Sequence, residues 1–111
     1  MTGFQTVARV SDVQPGQIVP VVVGGVEMIL YRWGDKIFAA QRRCLHQGAD
    51  LAEGLVLRGG VVCARHGWSF DAETGIHDMS PYNCLVTYRV EVQGDQVMVD
   101  PTPIWRGQVP E

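Results

Sequence analysis

The segments CLH at residues 44–46 and CARH at residues 63–66 decide how this sequence is interpreted. Sixteen residues separate them, and together they contain two of the three cysteines and two of the three histidines of the chain. Each segment offers one thiolate and one imidazole, which are ligands for zinc and for iron. The spacing therefore predicts a metal centre held by Cys44, His46, Cys63 and His66.

Two inorganic centres fit these four ligands. A single zinc ion would take two thiolates and two imidazoles in a tetrahedral, structural site, which would make the protein a zinc-stapled binding module. A two-iron, two-sulfide centre would take both cysteines on one iron and both histidines on the other. In the second case each loop gives one ligand to each iron, so a mixed pair from each loop is expected. The spacing favours iron.

The sequence around the motif predicts short β-strands. Gly24-Gly25 separates two segments rich in β-branched residues, which is typical of a hairpin with a tight primed turn. One helical turn is predicted over 11–14. Residues 42–79 form a glycine-punctuated insert, and residues 101–111 form a proline-containing tail that is expected to be an extended strap or a mobile end rather than a regular strand. Strands are predicted at 17–23, 26–32, 36–41, 61–64, 68–70, 85–92 and 96–100.

Length and composition place limits on the fold and on the partners. With 111 residues, 46% hydrophobic and 19% charged, the chain is predicted to form one domain over 1–111. Its net charge of −3 argues against nonspecific binding to nucleic acid or to an anionic membrane. The sequence contains no apolar run long enough to span a bilayer, and its first residues are unlike a signal peptide. We therefore expect a cytoplasmic protein.

At the motif Cys-x-His-x16-Cys-x2-His, which runs from Cys44 to His66, the sequence resembles the Rieske ferredoxins. The resemblance extends to Gly-Trp-x-Phe-Asp at 67–71, to Thr-Gly at 74–75 and to the closing segment 88–95, so it covers nearly the whole chain. It implies an all-β Rieske fold, a small antiparallel β-barrel or sandwich. Two cluster-binding loops would form a lid at one end of that barrel.

The same resemblance implies one Rieske-type [2Fe-2S] cluster as the cofactor. Its two loops would span 43–48 and 63–68. The implied ligand roles place the two cysteines on a buried iron and the two histidines on an outer iron near the surface. These roles fall on Cys44 and Cys63, and on His46 and His66.

The function that the resemblance implies is electron transfer rather than catalysis on an organic substrate. An NADH-dependent flavin reductase would supply single electrons, and the hydroxylase of an oxygenase would accept them. Segment 76–92 looks most like the ferredoxin of soluble diiron monooxygenases that act on aromatic or alkene hydrocarbons, although Leu45 and His77-Asp78 depart from that pattern. The ferredoxins of aromatic ring-hydroxylating dioxygenases share the cluster motif and are the alternative.

Other residues near the motif are expected to have structural or docking roles. Cys84 is predicted to be a small buried residue and not a ligand, His77 to be structural or solvated, and Trp68 to pack beside the lid. Segment 42–66 carries a net charge of +2, against −5 for the remainder. These charges predict either a basic patch that steers the lid towards an acidic partner or an evenly solvated surface. The basic residues of this segment are Arg42, Arg43, Arg58 and Arg65.

Overall fold

The computed structural model describes residues 3–43, 49–57, 59–63, 67–77 and 84–104. In this part of the chain the helical elements are two short 3-10 turns, Val10–Asp12 and Leu51–Glu53, neither of which has the length and apolar character of a membrane crossing. The prediction of an all-β fold is confirmed. Nine strands lie in the described residues: β1 (Gln5–Arg9), β2 (Ile18–Val23), β3 (Val26–Trp33), β4 (Lys36–Gln41), β5 (Leu55–Leu57), β6 (Gly60–Val62), β7 (Ser69–Asp71), β8 (Thr87–Gln93) and β9 (Gln96–Ile104).

The strands form two antiparallel sheets. The larger sheet has the order β1-β9-β8-β4-β3-β2, and its edge strands β1 and β2 contact each other, so the sheet is nearly closed into a barrel. The smaller sheet has the order β5-β6-β7 and lies in the insert predicted from the sequence. It packs against β3, which connects the insert to the barrel.

Strand β3 is buried on both faces and separates two apolar cores. Met28 and Leu30 point to one side, where they belong to a buried cluster with Val97 and Val99 of β9. Ile29 and Tyr31 point to the other side and join a cluster that includes the buried residues of the smaller sheet. Because successive side chains of a strand alternate between faces, one continuous apolar segment serves both cores. The second cluster comprises Ile29, Tyr31, Ala40, Ala49, Leu51, Val61, Cys63, Phe70, Ala72 and Leu85.

The hairpin predicted at Gly24-Gly25 is confirmed. Val23 pairs with Val26, and the two glycines between them have φ values of +57° and +82°. Positive φ at both central positions is the requirement of a type I′ turn. The predicted helical turn is present at Val10–Asp12, so it begins one residue and ends two residues earlier than expected.

The sequence missed two strands and ended a third too early. β1 and β5 were not predicted, and β9 continues through Pro101 and Pro103 to Ile104, which pairs with Thr87. Residues 101–104 are extended, as expected, but they belong to β9, and the pairing with β8 is irregular between Thr87 and Arg89, where the prolines lie opposite. Residues 105–111 lie outside the described residues. β1 pairs with β9 only as far as Val99, so in the described structure no strand pairs with the other edge of β9 beyond that point. Proline is tolerated on such an edge because no ladder hydrogen bond is required there.

A buried hydrogen bond connects β3 of the larger sheet to the residue that follows β7 of the smaller sheet. The Tyr31 hydroxyl, on β3, donates to the backbone carbonyl of Ala72, which directly follows β7, over 2.6 Å. Tyr31 is fully buried, and Ala72 retains 3% of its exposure. Removing the hydroxyl would leave a buried carbonyl without this donor.

We expect Tyr31→Phe to lower the free energy of unfolding by about 1–3 kcal/mol, the cost of leaving a buried polar group unsatisfied. Urea denaturation followed by far-ultraviolet circular dichroism measures this change. Tyr88→Phe is the matched control, because Tyr88 is only partly buried and lies beside an open surface groove. An equal loss in both variants would contradict the assigned role of Tyr31.

Candidate metal centre

Cys63 stands at the entrance of the second predicted ligand loop. It follows β6 directly, is 1% exposed and forms no disulfide. Its backbone N–H donates to the carbonyl of Trp68 over 2.8 Å, and the N–H of Gly67 donates back to the Cys63 carbonyl over 2.9 Å. Gly67 has φ of +69°, a left-handed conformation that glycine adopts without strain. The chain therefore leaves β6 and returns to β7 through a narrow neck at residues 63 and 67–68.

The first predicted ligand loop also has a narrow neck, formed by the residues on both sides of positions 44–48. Arg43 and Asp50 form an antiparallel β-bridge, and the N–H of Leu51 donates to the Arg42 carbonyl over 2.8 Å. The Arg42 guanidinium forms a two-pronged contact with the Asp50 carboxylate, with Nε–Oδ1 3.0 Å and Nη2–Oδ2 2.9 Å. Hydrogen bonding from Arg42 holds the pKa of Asp50 below its ordinary value, so the carboxylate stays ionised at neutral pH.

The two necks meet in one buried cluster. Ala49 and Leu51 follow the first loop, and Cys63 precedes the second; all three belong to the core that the smaller sheet shares with β3. Trp68, at the end of the second loop, packs against the same core. The fold thus brings the ends of both loops together, as a centre with ligands from both loops requires.

Of the four predicted ligands, the structure describes Cys63. Cys44, His46 and His66 lie outside the described residues, so the ligand set stays a prediction. Within the described residues, no group of three or more His, Cys, Asp or Glu side chains comes together in a way that could hold a metal ion.

An aromatic cluster supports the second loop. The Trp68 indole meets the His77 imidazole edge to face, with ring centroids 4.5 Å apart, and His77 meets Phe70 similarly at 5.4 Å. His77 is 9% exposed, and its backbone bridges to Phe70 on β7. His77 therefore has the structural position expected of it, and Trp68 packs beside the loop as predicted. The sequence carried no sign of the contact between the two rings.

Cys84 is buried, as predicted. It has no exposed surface, and its thiol donates to the Thr74 carbonyl at 3.5 Å and to its neighbour's carbonyl, Leu85 O, at 3.3 Å. Its backbone bridges to Ile76. Cys84 is not a member of the buried cluster that joins the two loop necks. Its place in the fold thus differs from that of Cys63, although both thiols are buried.

Arg42, one of the arginines of the predicted basic patch, has its charge balanced by two carboxylates. Arg42 is paired with Asp50 and also lies 3.4 Å from the Glu27 carboxylate, so neighbouring negative charges balance its positive charge. Arg43, the next residue, is exposed. Arg58 and Arg65 lie outside the described residues. The sequence signal for this ion pair was the presence of opposite charges at positions 42 and 50, on either side of the predicted loop. A net charge summed over the segment does not show which charges are paired.

Comparison with known proteins agrees with the geometry. The family model of the Rieske [2Fe-2S] domain matches residues 3–99. Ferredoxin CarAc of Metapseudomonas resinovorans is 37% identical over 95 residues, which cover 84% of this chain and 89% of that protein. The ferredoxin component of the alkene monooxygenase system of Xanthobacter autotrophicus is 31% identical over 103 residues, which cover 91% of this chain and 84% of that protein.

Among solved structures, a ferredoxin-sized chain matches this fold closely. It belongs to a complex of reduced oxygenase and oxidized ferredoxin in carbazole 1,9a-dioxygenase. The match has a TM-score of 0.81 and 32% identity, and it covers 95% of this chain and 99% of that chain.

We expect His77→Ala to lower the free energy of unfolding by about 1–3 kcal/mol, because it removes two edge-to-face contacts worth about 0.5–1.5 kcal/mol each. Urea denaturation followed by circular dichroism measures the loss. His77→Phe keeps a ring at this position and is expected to fall between the wild type and His77→Ala. An unchanged urea midpoint in His77→Ala would show that the ring cluster does not support the loop.

Proposed function

Because the chain belongs to the Rieske [2Fe-2S] domain family, we propose that it is a one-electron carrier, the ferredoxin component of a multicomponent oxygenase system. The cofactor of the family is a Rieske-type [2Fe-2S] cluster. When bound, such a cluster takes up and releases one electron at a potential set by its ligands, hydrogen bonds and exposure. The observation that carries the proposal is the alignment with a ferredoxin component over 91% of this chain and 84% of that protein.

The described residues suit this cofactor. A thiolate is the form of cysteine that binds metal, and Cys63 is a free thiol placed at a loop neck with an apolar surrounding. Apolar neighbours surround Cys63 and leave it 1% exposed, so water has little access to its thiol. Cys44, His46 and His66 complete the proposed ligand set, with one thiolate and one imidazole in each loop. Mixed pairs of this kind match a centre that has cysteines on one iron and histidines on the other.

The proposed partners are an NADH-dependent flavin reductase as electron donor and the hydroxylase component of an oxygenase as acceptor. We favour a diiron monooxygenase that acts on aromatic or alkene hydrocarbons, supported by the alkene monooxygenase ferredoxin. The ferredoxin of an aromatic ring-hydroxylating dioxygenase is the second candidate, supported by the carbazole 1,9a-dioxygenase complex. The two relatives are 31% and 32% identical to this chain, so identity alone does not separate the two systems. In either case the chain itself would carry electrons and catalyse no step on the hydrocarbon.

The zinc-stapled module makes a different spectroscopic prediction. A zinc site is colourless, whereas iron bound to thiolate and sulfide absorbs visible light. Purified protein with about two irons and two sulfides per chain and an electron paramagnetic resonance signal after reduction supports the carrier. Stoichiometric zinc without visible absorption would overturn it.

Substitution of the two described cysteines tests the ligand assignment. We expect Cys63→Ala to abolish the visible absorption of the cluster, because one of the two thiolates on the inner iron is lost. Cys84→Ala is the matched control: it removes an equally buried thiol, costs about 1 kcal/mol of stability and leaves the spectrum intact. Iron and sulfide content per chain, measured alongside the spectrum, checks both expectations. Loss of the cluster in Cys84→Ala with retention in Cys63→Ala would contradict the assignment.

The acceptor is identified by reconstitution. The reduced protein is mixed with a diiron hydroxylase or with a Rieske dioxygenase, and its reoxidation is followed by visible absorption together with product formation. Coupled turnover with the diiron enzyme supports the monooxygenase assignment, whereas turnover with the dioxygenase alone favours the second candidate. Absence of electron delivery to both classes would contradict the proposed function.

Arg43 tests electrostatic steering of the electron-transfer encounter. We expect Arg43→Gln to slow electron delivery about two- to fivefold at low ionic strength, with the difference shrinking as salt screens the charge. Lys36→Gln removes the same charge from the start of β4, the opposite end of the strand that leads to Arg43, and is expected to change the rate less. Stopped-flow reoxidation at several salt concentrations measures both. Rates of Arg43→Gln that match the wild type at every salt concentration would exclude steering by this residue.

A further inference from the structure

We infer that Arg42 and Asp50 are positioning residues, which hold the neck of the first ligand loop closed and thereby fix the first pair of cluster ligands. This inference rests on the proposed function, because it concerns the cluster that the loop is proposed to bind. It assigns a role to two side chains that are themselves not ligands.

The ion pair spans the neck at the point where the loop begins and ends. Arg42 lies two residues before Cys44, and Asp50 lies two residues after Gly48, the last residue of the loop. The guanidinium approaches both carboxylate oxygens, at 3.0 and 2.9 Å. A two-pronged contact restricts orientation as well as distance, because the planar fork of arginine matches the carboxylate. The two segments that form the neck therefore cannot slide or twist relative to each other without breaking this contact.

Asp50 connects the neck to the core. Besides Arg42, its Oδ1 accepts a hydrogen bond from the N–H of Ala52 at 2.9 Å, which caps the 3-10 turn Leu51–Glu53. Leu51 is fully buried in the cluster that also contains Cys63. The same carboxylate thus relates the first loop to the structure that carries the second loop's cysteine.

Gln41 connects the start of the neck to the segment that precedes β8. Its Nε2 donates to the Arg43 carbonyl at 2.5 Å, and its Oε1 accepts from the N–H of Val86 at 2.7 Å. The backbone N–H of Gln41 also donates to the Val86 carbonyl at 2.8 Å. The start of the loop is therefore tied to the segment before β8, whereas the Arg42–Asp50 pair ties the start to the end.

The neck fixes where the first loop begins and where it ends. Residues 44–48 must connect two ends that the β-bridge between Arg43 and Asp50 holds side by side, roughly 5 Å apart. Both proposed ligands of this loop, Cys44 and His46, lie within those five residues. Opening the neck would let the thiolate and imidazole move relative to Cys63, so the cluster would be held less tightly.

The pair contributes to cluster binding more than to global stability. The Arg42 and Asp50 side chains retain 25% and 17% of their exposure, so water screens their attraction. Water-screened ion pairs contribute modestly to the free energy of unfolding, and a two-pronged pair lies at the upper end of that range. Residues that orient metal ligands, in contrast, typically change metal affinity about 10- to 100-fold when they are replaced. Replacing either residue should therefore weaken cluster binding more than it lowers the free energy of unfolding.

The experiment compares loss of the cluster with unfolding in the metal-loaded protein. Arg42→Gln and Asp50→Asn each break the pair, and Arg42→Lys keeps the charge but loses the fork. Visible absorption in the presence of an iron chelator gives the rate of cluster loss, and electron paramagnetic resonance of the reduced protein reports ligand geometry. Glu27→Gln is the matched control, because Glu27 touches Arg42 at 3.4 Å from outside the neck and is half exposed.

We expect Arg42→Gln and Asp50→Asn to lose the cluster about 10-fold faster and to broaden the resonance, with a small decrease in the urea midpoint by comparison. Arg42→Lys should fall between them and the wild type. The double variant should be no worse than the worse single variant, because both changes break one contact. Glu27→Gln should behave as the wild type.

Three results would overturn the inference. These are wild-type rates of cluster loss in both single variants, the same acceleration in Glu27→Gln, or fully additive effects in the double variant. If the wild-type protein binds zinc or no metal, the proposed function fails and the inference fails with it. If the wild type holds a [2Fe-2S] cluster and the variants hold it equally well, the inference alone fails.

Discussion

Burial of β3 on both faces is the constraint on which the rest of the structure depends. Met28 and Leu30 complete the core of the nearly closed sheet, and Ile29 and Tyr31 provide the surface on which the smaller sheet packs. Neither core could form without this strand, because each takes alternate side chains from it. The insert therefore has a fixed base, and each loop neck has residues that pack on it: Leu51 at the first, and Cys63 and Trp68 at the second.

The sequence predicted what depends on local chemistry. The Gly24-Gly25 turn could be identified because two consecutive glycines between β-branched segments readily adopt the positive φ values that a tight hairpin turn requires. The paired Cys and His segments predicted a metal centre because each places a thiol and an imidazole, both metal ligands, within a few residues of each other. β1 was missed because its partner is β9, some ninety residues away, and only that pairing makes an extended strand of Gln5–Arg9. β5 has three residues, too few for a period to show.

Arg42 shows why charge counting could not locate a docking surface. In the sequence it is one of four arginines in a segment with a net charge of +2, and it is equivalent to its neighbour Arg43. In the fold, Arg42 meets Asp50 across the loop neck, whereas Arg43 faces solvent. Of these two adjacent arginines, one is therefore paired with carboxylates and the other is exposed.

The two described cysteines show that burial alone does not identify a ligand. Cys63 and Cys84 are 1% and 0% exposed, and neither forms a disulfide. Their surroundings differ, because the Cys84 thiol donates to main-chain carbonyls, whereas Cys63 lies in the cluster that joins the two loop necks. A metal bound by two loops needs thiolates where those loops converge. Position relative to the necks, rather than exposure, is therefore the property that separates a proposed ligand from a residue that fills the core.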